Sequence, residues 1–222
     1  MDLQQIHNII DWYCRKSQMG FLSPPDKDRI INRAQYEYFD KIKPAFGINQ
    51  QINDALLPFK KEQTFSNGTS PSGVITLNAD YLHLLAIETV VSDSDGTHYI
   101  PVEMIGEDEL SIRRNSQLIP LNVYNPVGRL ISPSAAYGQY RIQLYPMSAS
   151  AGDVYYLRKP SEVSFSYTTT GRTITYNQGT SIQMEWNEPS INKIIFIALQ
   201  SIGINIQDIS LTQFTQAKEA QS

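Results

Sequence analysis

The sequence predicts an α+β fold, a helical bundle formed by N- and C-terminal helices with an inserted antiparallel β domain. Apolar residues recur at helical spacing near both ends of the chain, whereas they alternate, as in strands, through most of its middle. The chain has 222 residues, which is enough to bury a substantial core. The predicted organisation is a bundle of residues 1–59 and 187–222, a loop of residues 60–73, and a β domain of residues 74–186.

The N-terminal part of the chain is predicted to form three helices. The first is amphipathic and ends near Gly20. The second starts at Ser23, whose hydroxyl can cap the helix ahead of two prolines, and continues until Pro44. Asn49 is predicted to cap a third, shorter helix, which Pro58 ends because proline cannot continue the hydrogen-bond ladder.

The middle of the chain is predicted to be antiparallel β structure. Residues 60–73, KKEQTFSNGTSPSG, are interpreted as a loop because Gly, Ser, Asn, Thr and Pro dominate them. Tight turns are expected at Asp93–Gly96 and Asn177–Gly179, and a short helix with an acidic first turn at Glu107–Arg114. Strands are expected at Val74–Leu77, Tyr81–Val91, His98–Met104, Tyr140–Tyr145, Val154–Leu157, Val163–Tyr167, Thr173–Tyr176 and Ser181–Trp186.

The C-terminal part is predicted to contain two helices. One begins at Glu188, is apolar on nearly all sides and is therefore expected to be buried, and ends at Gly203. The other begins at Ser210, which opens a capping-box pattern. This last helix carries a brief apolar face that we expect to contact a neighbouring protein: Ile209, Leu211 and Phe214.

Composition narrows the possible functions. The longest apolar run, Ile194–Leu199, is far too short to span a bilayer, and the first residues lack a secretory pattern, which predicts a protein in a reducing cytoplasm. A single cysteine, Cys14, excludes an intrachain disulfide and a thiolate zinc cluster. A net charge of -4 argues against a protein that grips nucleic acid by neutralising phosphates.

No catalytic or cofactor-binding pattern is visible. His7 is expected on a polar helix face, His83 in an apolar strand and His98 in a hairpin, so none has a ligand-like or triad-like context. The acidic run Glu107–Glu109 is explained by the helix dipole rather than by metal binding. Because nucleotide-binding glycine motifs are also absent from the sequence, we expect neither an enzyme nor a bound cofactor or metal.

Two further features leave alternatives open. The basic pairs Lys60–Lys61 and Arg113–Arg114 are interpreted as solvated surface, with a passing contact to DNA expected only if many copies assemble around the duplex. The thirteen tyrosines provide either cross-strand packing or a carbohydrate-binding platform. For such a platform the candidates are Tyr137, Tyr140, Tyr155 and Tyr156.

The sequence resembles head-to-tail adaptor proteins of short-tailed phages, the group that includes tail tubular protein A and ring proteins of crAss-like phages. The resemblance begins with NDALLPFKKEQTF and GVITLNADYLHLLAIETV, where Leu77–His83 contains an Asp-Tyr pair after a strand. It continues through Arg141–Pro146 and Gly152–Pro160 to the buried helix and glycine at Ala198–Ile204. The similar patterns occur in order from about Ile30 to Phe214.

This resemblance implies a structural role in the virion. The expected assembly is a homo-oligomeric ring of about twelve copies, docked beneath the portal protein and against further tail or ring proteins at the head–tail junction. It would be assembled in the host cytoplasm and would line the DNA path, touching packaged DNA transiently and without sequence preference, with no membrane contact. The alternative from the residues alone is a β-rich phage fibre or glycan-binding module.

Overall fold

The computed structural model describes residues 1–16, 22–66, 73–131, 139–147, 151–171 and 173–205. These residues form a mixed α+β fold with several antiparallel strand pairings, which confirms the predicted class. The helices are α1 (Leu3–Lys16), α2 (Pro24–Ile42), α3 (Gln50–Leu56), α4 (Glu107–Asn115) and α5 (Glu188–Asn205). The strands are β1 (Lys60–Ser66), β2 (Val74–Thr76), β3 (Tyr81–Asp93), β4 (Gly96–Pro101), β5 (Glu103–Met104), β6 (Val127–Ile131), β7 (Arg141–Tyr145), β8 (Ala151–Arg158), β9 (Tyr167–Thr170) and β10 (Thr173–Tyr176).

The chain divides into two compact units. The first combines Met1–Pro58 with Pro160–Ser222, and the second is the continuous segment Phe59–Lys159. The described residues of 160–186, which the sequence assigned to the β domain, thus group with the helices. Among the described residues, no helix is long and apolar enough to cross a bilayer.

The predicted helix starts of the first unit are confirmed by their caps. The Ser23 hydroxyl oxygen accepts a hydrogen bond from the Asp26 backbone N–H at 3.4 Å, and the Asn49 side chain accepts one from the Gln51 N–H at 2.9 Å. Each of these bonds satisfies one of the N–H groups that have no partner within the helix. Residues 17–21, where α1 was expected to end, lie outside the described residues.

Most residues of helix α5 between Ser190 and Gly203 are buried, as its nearly uniform apolar sequence predicted, whereas Glu188, Pro189 and Asn192 are exposed. Its predicted end at Gly203 is wrong, because the helix continues to Asn205. A glycine lowers helix propensity by about 1 kcal/mol but does not remove a backbone hydrogen bond, so packing of the surrounding apolar residues can carry the helix through it. The predicted terminal helix lies outside the described residues.

The second predicted hairpin has a different partner. Thr173–Tyr176 pairs antiparallel with Tyr167–Thr170, around a turn in which Gly171 has φ 63°, and not with Ser181–Trp186. The predicted strands Val163–Tyr167 and Ser181–Trp186 contact each other in the described structure through a single β-bridge, between Ser164 and Ile182. Glycine readily adopts the left-handed conformation of a tight turn, so a turn at Gly171 can join Tyr167–Thr170 directly to Thr173–Tyr176.

The second unit contains two four-stranded sheets. In the first sheet the order is β1-β8-β3-β4, and all neighbours are antiparallel. In the second the order is β2-β7-β6-β5, with β5 and β6 parallel. The predicted turn at Asp93–Gly96 is confirmed as the connection between β3 and β4.

The prediction that residues 60–73 form a loop is wrong for its first half, because Lys60–Ser66 is strand β1. Strand β1 pairs along its whole length with β8. It lies at the edge of the sheet, where one face meets solvent and polar residues are tolerated, so its composition resembles that of a loop. Residues 67–72 lie outside the described residues.

Two apolar clusters hold the second unit together. The larger joins inward-facing residues of both sheets: Phe65, Ile75, Leu77, Tyr81, Ile87, Val102, Ile142, Leu144, Val154 and Tyr156. The smaller lies where α4 packs on the second sheet: Ile105, Leu110, Val127 and Tyr145. The first sheet therefore has one face against the core and one face without a described partner in this unit.

Candidate functional site

The basic pair Lys60–Lys61 is split between the two faces of the first sheet. The Lys61 Nζ lies 2.6 Å from the Asp80 carboxylate, whereas the Lys60 Nζ lies 5.6 Å from the ring centroid of Tyr155. Consecutive residues of a strand point to opposite faces, which explains the separation. The two lysines therefore do not form a single cationic site.

The pair Arg113–Arg114 lies in the last turn of α4 and is engaged within the second unit. Arg113 forms an ion pair with Glu103 and approaches Glu109 at 3.9 Å. The Arg114 guanidinium lies 4.7 Å from the ring centroid of Tyr145, within cation–π range. Among the described residues, no ion pair or ring contact joins Arg113 or Arg114 to Lys60 or Lys61. The structure therefore does not bring the four predicted DNA contacts together.

Sequence reasoning missed a third arginine at the same place. Arg129 of β6 forms an ion pair with Glu107 of α4. Its guanidinium lies 5.8 Å from the Tyr145 ring centroid, so the guanidinium groups of Arg114 and Arg129 both contact this ring. Strand β6 was not predicted, and an isolated arginine in VGRLI gives no signal. The surroundings of α4 also carry more carboxylates than arginines, namely Glu103, Glu107, Asp108 and Glu109. The site is therefore not a basic patch.

The two segments that carry the resemblance meet in the first sheet. The Tyr156 hydroxyl donates a hydrogen bond to Asp80 at 2.9 Å and accepts one from the Asn78 side chain at 2.9 Å. Burial alone would raise the pKa of Asp80, but hydrogen bonds from Lys61 and Tyr156 outweigh it and hold this pKa below its ordinary value. The pKa of Tyr156 is raised, mainly by burial and then by Asp80. This network fixes the start of β3 against β8.

The four candidate platform tyrosines do not share one exposed face. Tyr156 is fully buried, so its predicted exposure is wrong, and Tyr155 points to the opposite face of β8. Tyr140 is half exposed and its ring lies 5.3 Å from that of Tyr81. Tyr137 lies outside the described residues.

Three carboxylates lie around Tyr155 on the outward face of the first sheet, which also carries Lys60. Asp153 of β8 lies directly opposite Glu88 of β3, and Glu62 of β1 lies opposite Tyr155. Like charges directly opposite each other are destabilising. Burial and then these carboxylates raise the pKa of Tyr155. Among the described residues, no ion pair neutralises any of the three carboxylates.

Helix α4 and the segment after it expose large apolar side chains. Leu118 is 94% exposed and Ile112 is 70% exposed, and about half of Ile119 and of Tyr124 is exposed. We call these four residues the α4 surface. Single exposed apolar residues are ordinary, but because these four lie within thirteen positions of the chain, we treat them as candidate contacts with another protein.

In the first unit, the expectation that His7 lies on a polar helix face is wrong, because its side chain is buried. Its Nε2 lies 3.0 Å from Asp28, and its ring stacks on Phe165 at 4.4 Å. Beside it, Lys27 donates to both oxygens of Asp11. His7, Asp11, Lys27 and Phe165 line a cavity of about 190 Å³. The periodicity of α1 places His7 next to Ile6 and Ile10, and this was the available signal for its burial.

The chain's single cysteine, Cys14, is buried and is not an activated thiol. Burial, and then the charge of Asp11, raise the pKa of the Cys14 thiol, which keeps it protonated at neutral pH. Among the residues that the structure describes, no three His, Cys, Asp or Glu side chains are arranged to hold a metal ion. Glu107, Asp108 and Glu109 form the first turn of α4, as the dipole interpretation predicted.

The predicted interface residues Ile209, Leu211 and Phe214 lie outside the described residues. No protein-family model matches the chain, and no curated protein is significantly similar to it.

Proposed function

We propose that this chain is a phage virion structural protein that forms a head-to-tail connector ring docked below the portal and lining the DNA path. The observation that carries the proposal is the α4 surface, because exposed apolar side chains of this size are typical of protein–protein contacts. The function is then association with other virion proteins rather than catalysis.

The contacts of the resembling segments support the proposal. Leu77–His83 and Gly152–Pro160 are far apart in the sequence, yet Asp80 and Tyr156 share a hydrogen bond. The two segments therefore belong to the same part of the fold. The resemblance therefore rests on a connected framework of the first sheet.

We also propose that the two chain ends form a helical bundle that carries the β unit as an insertion. Both ends belong to one compact unit, and Trp186, which precedes α5, packs against Tyr38 and Phe39 of α2 at ring-centroid distances of 5.3 and 6.1 Å. In a ring, such a bundle would present the C-terminal residues Ile209, Leu211 and Phe214 to a neighbour or to the portal.

The charges of the second unit suit a conduit through which DNA slides. Lys60, Lys61, Arg113 and Arg114 remain the proposed transient contacts, and carboxylates or aromatic rings accompany each of them. Strong retention of DNA needs many uncompensated cations, because affinity rises with the number of phosphates neutralised. Because carboxylates neutralise Lys61 and Arg113, few uncompensated cations remain among the four, which would allow the genome to pass.

Electron microscopy of the purified full chain, alone and mixed with the portal protein of its phage, tests the function. We expect rings in at least one of the two samples. The variant Ile112→Ser with Leu118→Ser should fold normally, because both side chains are mostly exposed, and should lose self-association or portal binding, whichever the α4 surface mediates. The matched control is Ile48→Ser, an exposed isoleucine of the first unit.

Two outcomes would contradict the proposal. The first is a chain that stays monomeric at high concentration and ignores the portal. The second is a double variant that assembles and docks as well as the unchanged protein and as the control, since the α4 surface would then have no role in association.

A further inference from the structure

Both edges of the first sheet are open in the described part of the chain. Strands β1 and β4 are its outer strands, and no described strand pairs with the outer side of either. Five of the six residues of β4 and five of the seven of β1 are exposed. An open edge presents unpaired N–H and C=O groups, which are a template for pairing with another chain.

The strand directions of this sheet allow it to continue into an identical copy. Neighbouring strands are antiparallel throughout, so the direction alternates across β1, β8, β3 and β4. Because the number of strands is even, β4 and β1 run in opposite directions. A second copy placed beside the first in the same orientation would therefore set its β1 antiparallel to the first copy's β4.

The hydrogen-bonding phase of the two edges also matches. The Val102 N–H donates to the Ile87 carbonyl, so alternation along the hairpin directs the backbone groups of Thr97 and Tyr99 away from β3. The Lys159 N–H donates to the Asp80 carbonyl, so by alternation along β8 the backbone groups of Tyr155 and Asp153 are directed toward β3 and not toward β1. Glu62 and Thr64 of β1 lie opposite these two residues, and their backbone N–H and C=O groups therefore point away from the sheet.

Side-chain faces agree with this phase. Thr97 and Tyr99 lie opposite Ser92 and Val90 on the outward face of the sheet, and Glu62 lies opposite Tyr155 on the same face. If the free backbone groups at the edge of β4 pair with those at the edge of β1, side chains on the outward face of one copy therefore lie beside side chains on the outward face of the next. An odd number of strands would have mismatched the faces, and a one-residue slip would do the same.

We propose that β4 of one copy pairs antiparallel with β1 of the next copy, so that the first sheet continues from subunit to subunit. The proposal rests on the proposed ring and names the contact that builds it. It is a heterologous contact, in which two different edges meet, as ring closure requires. Charges at Lys60–Glu62 and the proline at the end of β4 discourage indiscriminate pairing, so a partner strand has to be in register.

Hydrogen exchange of the full chain, measured below and above the concentration at which it associates, tests the contact residue by residue. The amides of Glu62, Thr64, Thr97 and Tyr99 should slow by at least about tenfold on association, because they acquire acceptors. Those of Gln63 and His98 already face a neighbouring strand and serve as internal controls.

A backbone variant provides a second measurement. Thr64→Pro removes an outward N–H without removing a hydrogen bond inside the subunit, and should weaken self-association by at least about tenfold. Thr64→Val keeps the N–H and should associate like the unchanged protein. Circular dichroism establishes that each variant folds, and the exchange experiment decides the question if the proline variant does not.

The outcomes separate this contact from the function. Slowed edge amides together with loss of assembly in Thr64→Pro support the shared sheet. Rings whose edge amides exchange as fast as those of the monomer, or a folded Thr64→Pro that still assembles normally, overturn the shared sheet and leave the ring intact. A chain that never associates, even with the portal, overturns both.

Discussion

Replacing Gly152 with alanine should destabilise the second unit more than any other single-methyl addition at a described glycine. A Cβ built at Gly152 would lie 2.0 Å from the carbonyl oxygen of Glu88 and 2.9 Å from the Phe65 ring. Real Cβ atoms essentially never approach closer than 3.0 Å. Strand β8 would therefore have to move about 1 Å away from β3, which is a large displacement for strands spaced about 4.8 Å apart.

The size of the effect follows from the kind of atom that is in the way. Inserting a methyl group into a packed core costs about 1–3 kcal/mol when side chains can adjust. Here the obstructing atom belongs to the backbone of a paired strand, so relief requires loss of ladder hydrogen bonds. We expect Gly152→Ala to lower the free energy of unfolding by about 3 kcal/mol, the upper end of that range.

Urea unfolding followed by far-UV circular dichroism, at one fixed protein concentration, measures the change. The matched control is Gly179→Ala, because a Cβ there meets nothing within 4 Å. The control should remain within about 0.5 kcal/mol of the unchanged protein. If Gly152→Ala unfolds at the same urea concentration as the control, the close approach of β8 to β3 at this residue is incorrect.

Three further changes test the first sheet. Tyr156→Phe should lower the free energy of unfolding, measured in urea, by about 1–3 kcal/mol, because Asn78 and Asp80 lose the buried hydroxyl between them. Tyr155→Phe on the opposite face should change it little, and equal effects of the two variants would contradict the assignment of faces. The folded-state pKa of Asp80 is lowered, so its stabilisation is present above about pH 4 and is lost as pH falls through the folded-state pKa. Unfolding midpoints of Asp80→Asn and the unchanged protein should therefore converge below pH 4, and a constant difference would count against the ion pair. Asp153→Asn should raise stability by about 0.2–1 kcal/mol at low salt, since it removes a charge opposite Glu88, and a decrease would refute that repulsion.

Local chemistry made the helices predictable, and pairing made the strands less so. Ser23 and Asn49 identify helix starts because a cap depends on only a few neighbouring residues. Strand β1 was missed because its partner lies some ninety positions later, at Ala151–Arg158, and its own composition is that of a loop. The burial of His7 likewise depends on Asp28 and Phe165, which lie on other segments.

The candidate site was less predictable than the fold, for a related reason. Lys60 and Lys61 are adjacent in the sequence, but a strand separates their side chains onto two faces. Arg114 and Arg129 are fifteen positions apart, but both reach Tyr145. Sequence proximity therefore indicated the wrong grouping of cations, because the grouping is decided by strand pairing and by the packing of α4.

The residues that carry the resemblance are framework residues, and this determines where the function has to be tested. Gly152 allows two strands to approach closely, and Asp80 and Tyr156 join the start of β3 to β8. Substituting them would destabilise the second unit whatever its function is. In the proposed assembly, association depends instead on exposed groups that add nothing to the fold of one chain, such as Leu118 and the outward N–H of Thr64. Only variants of this second kind can separate loss of assembly from loss of structure.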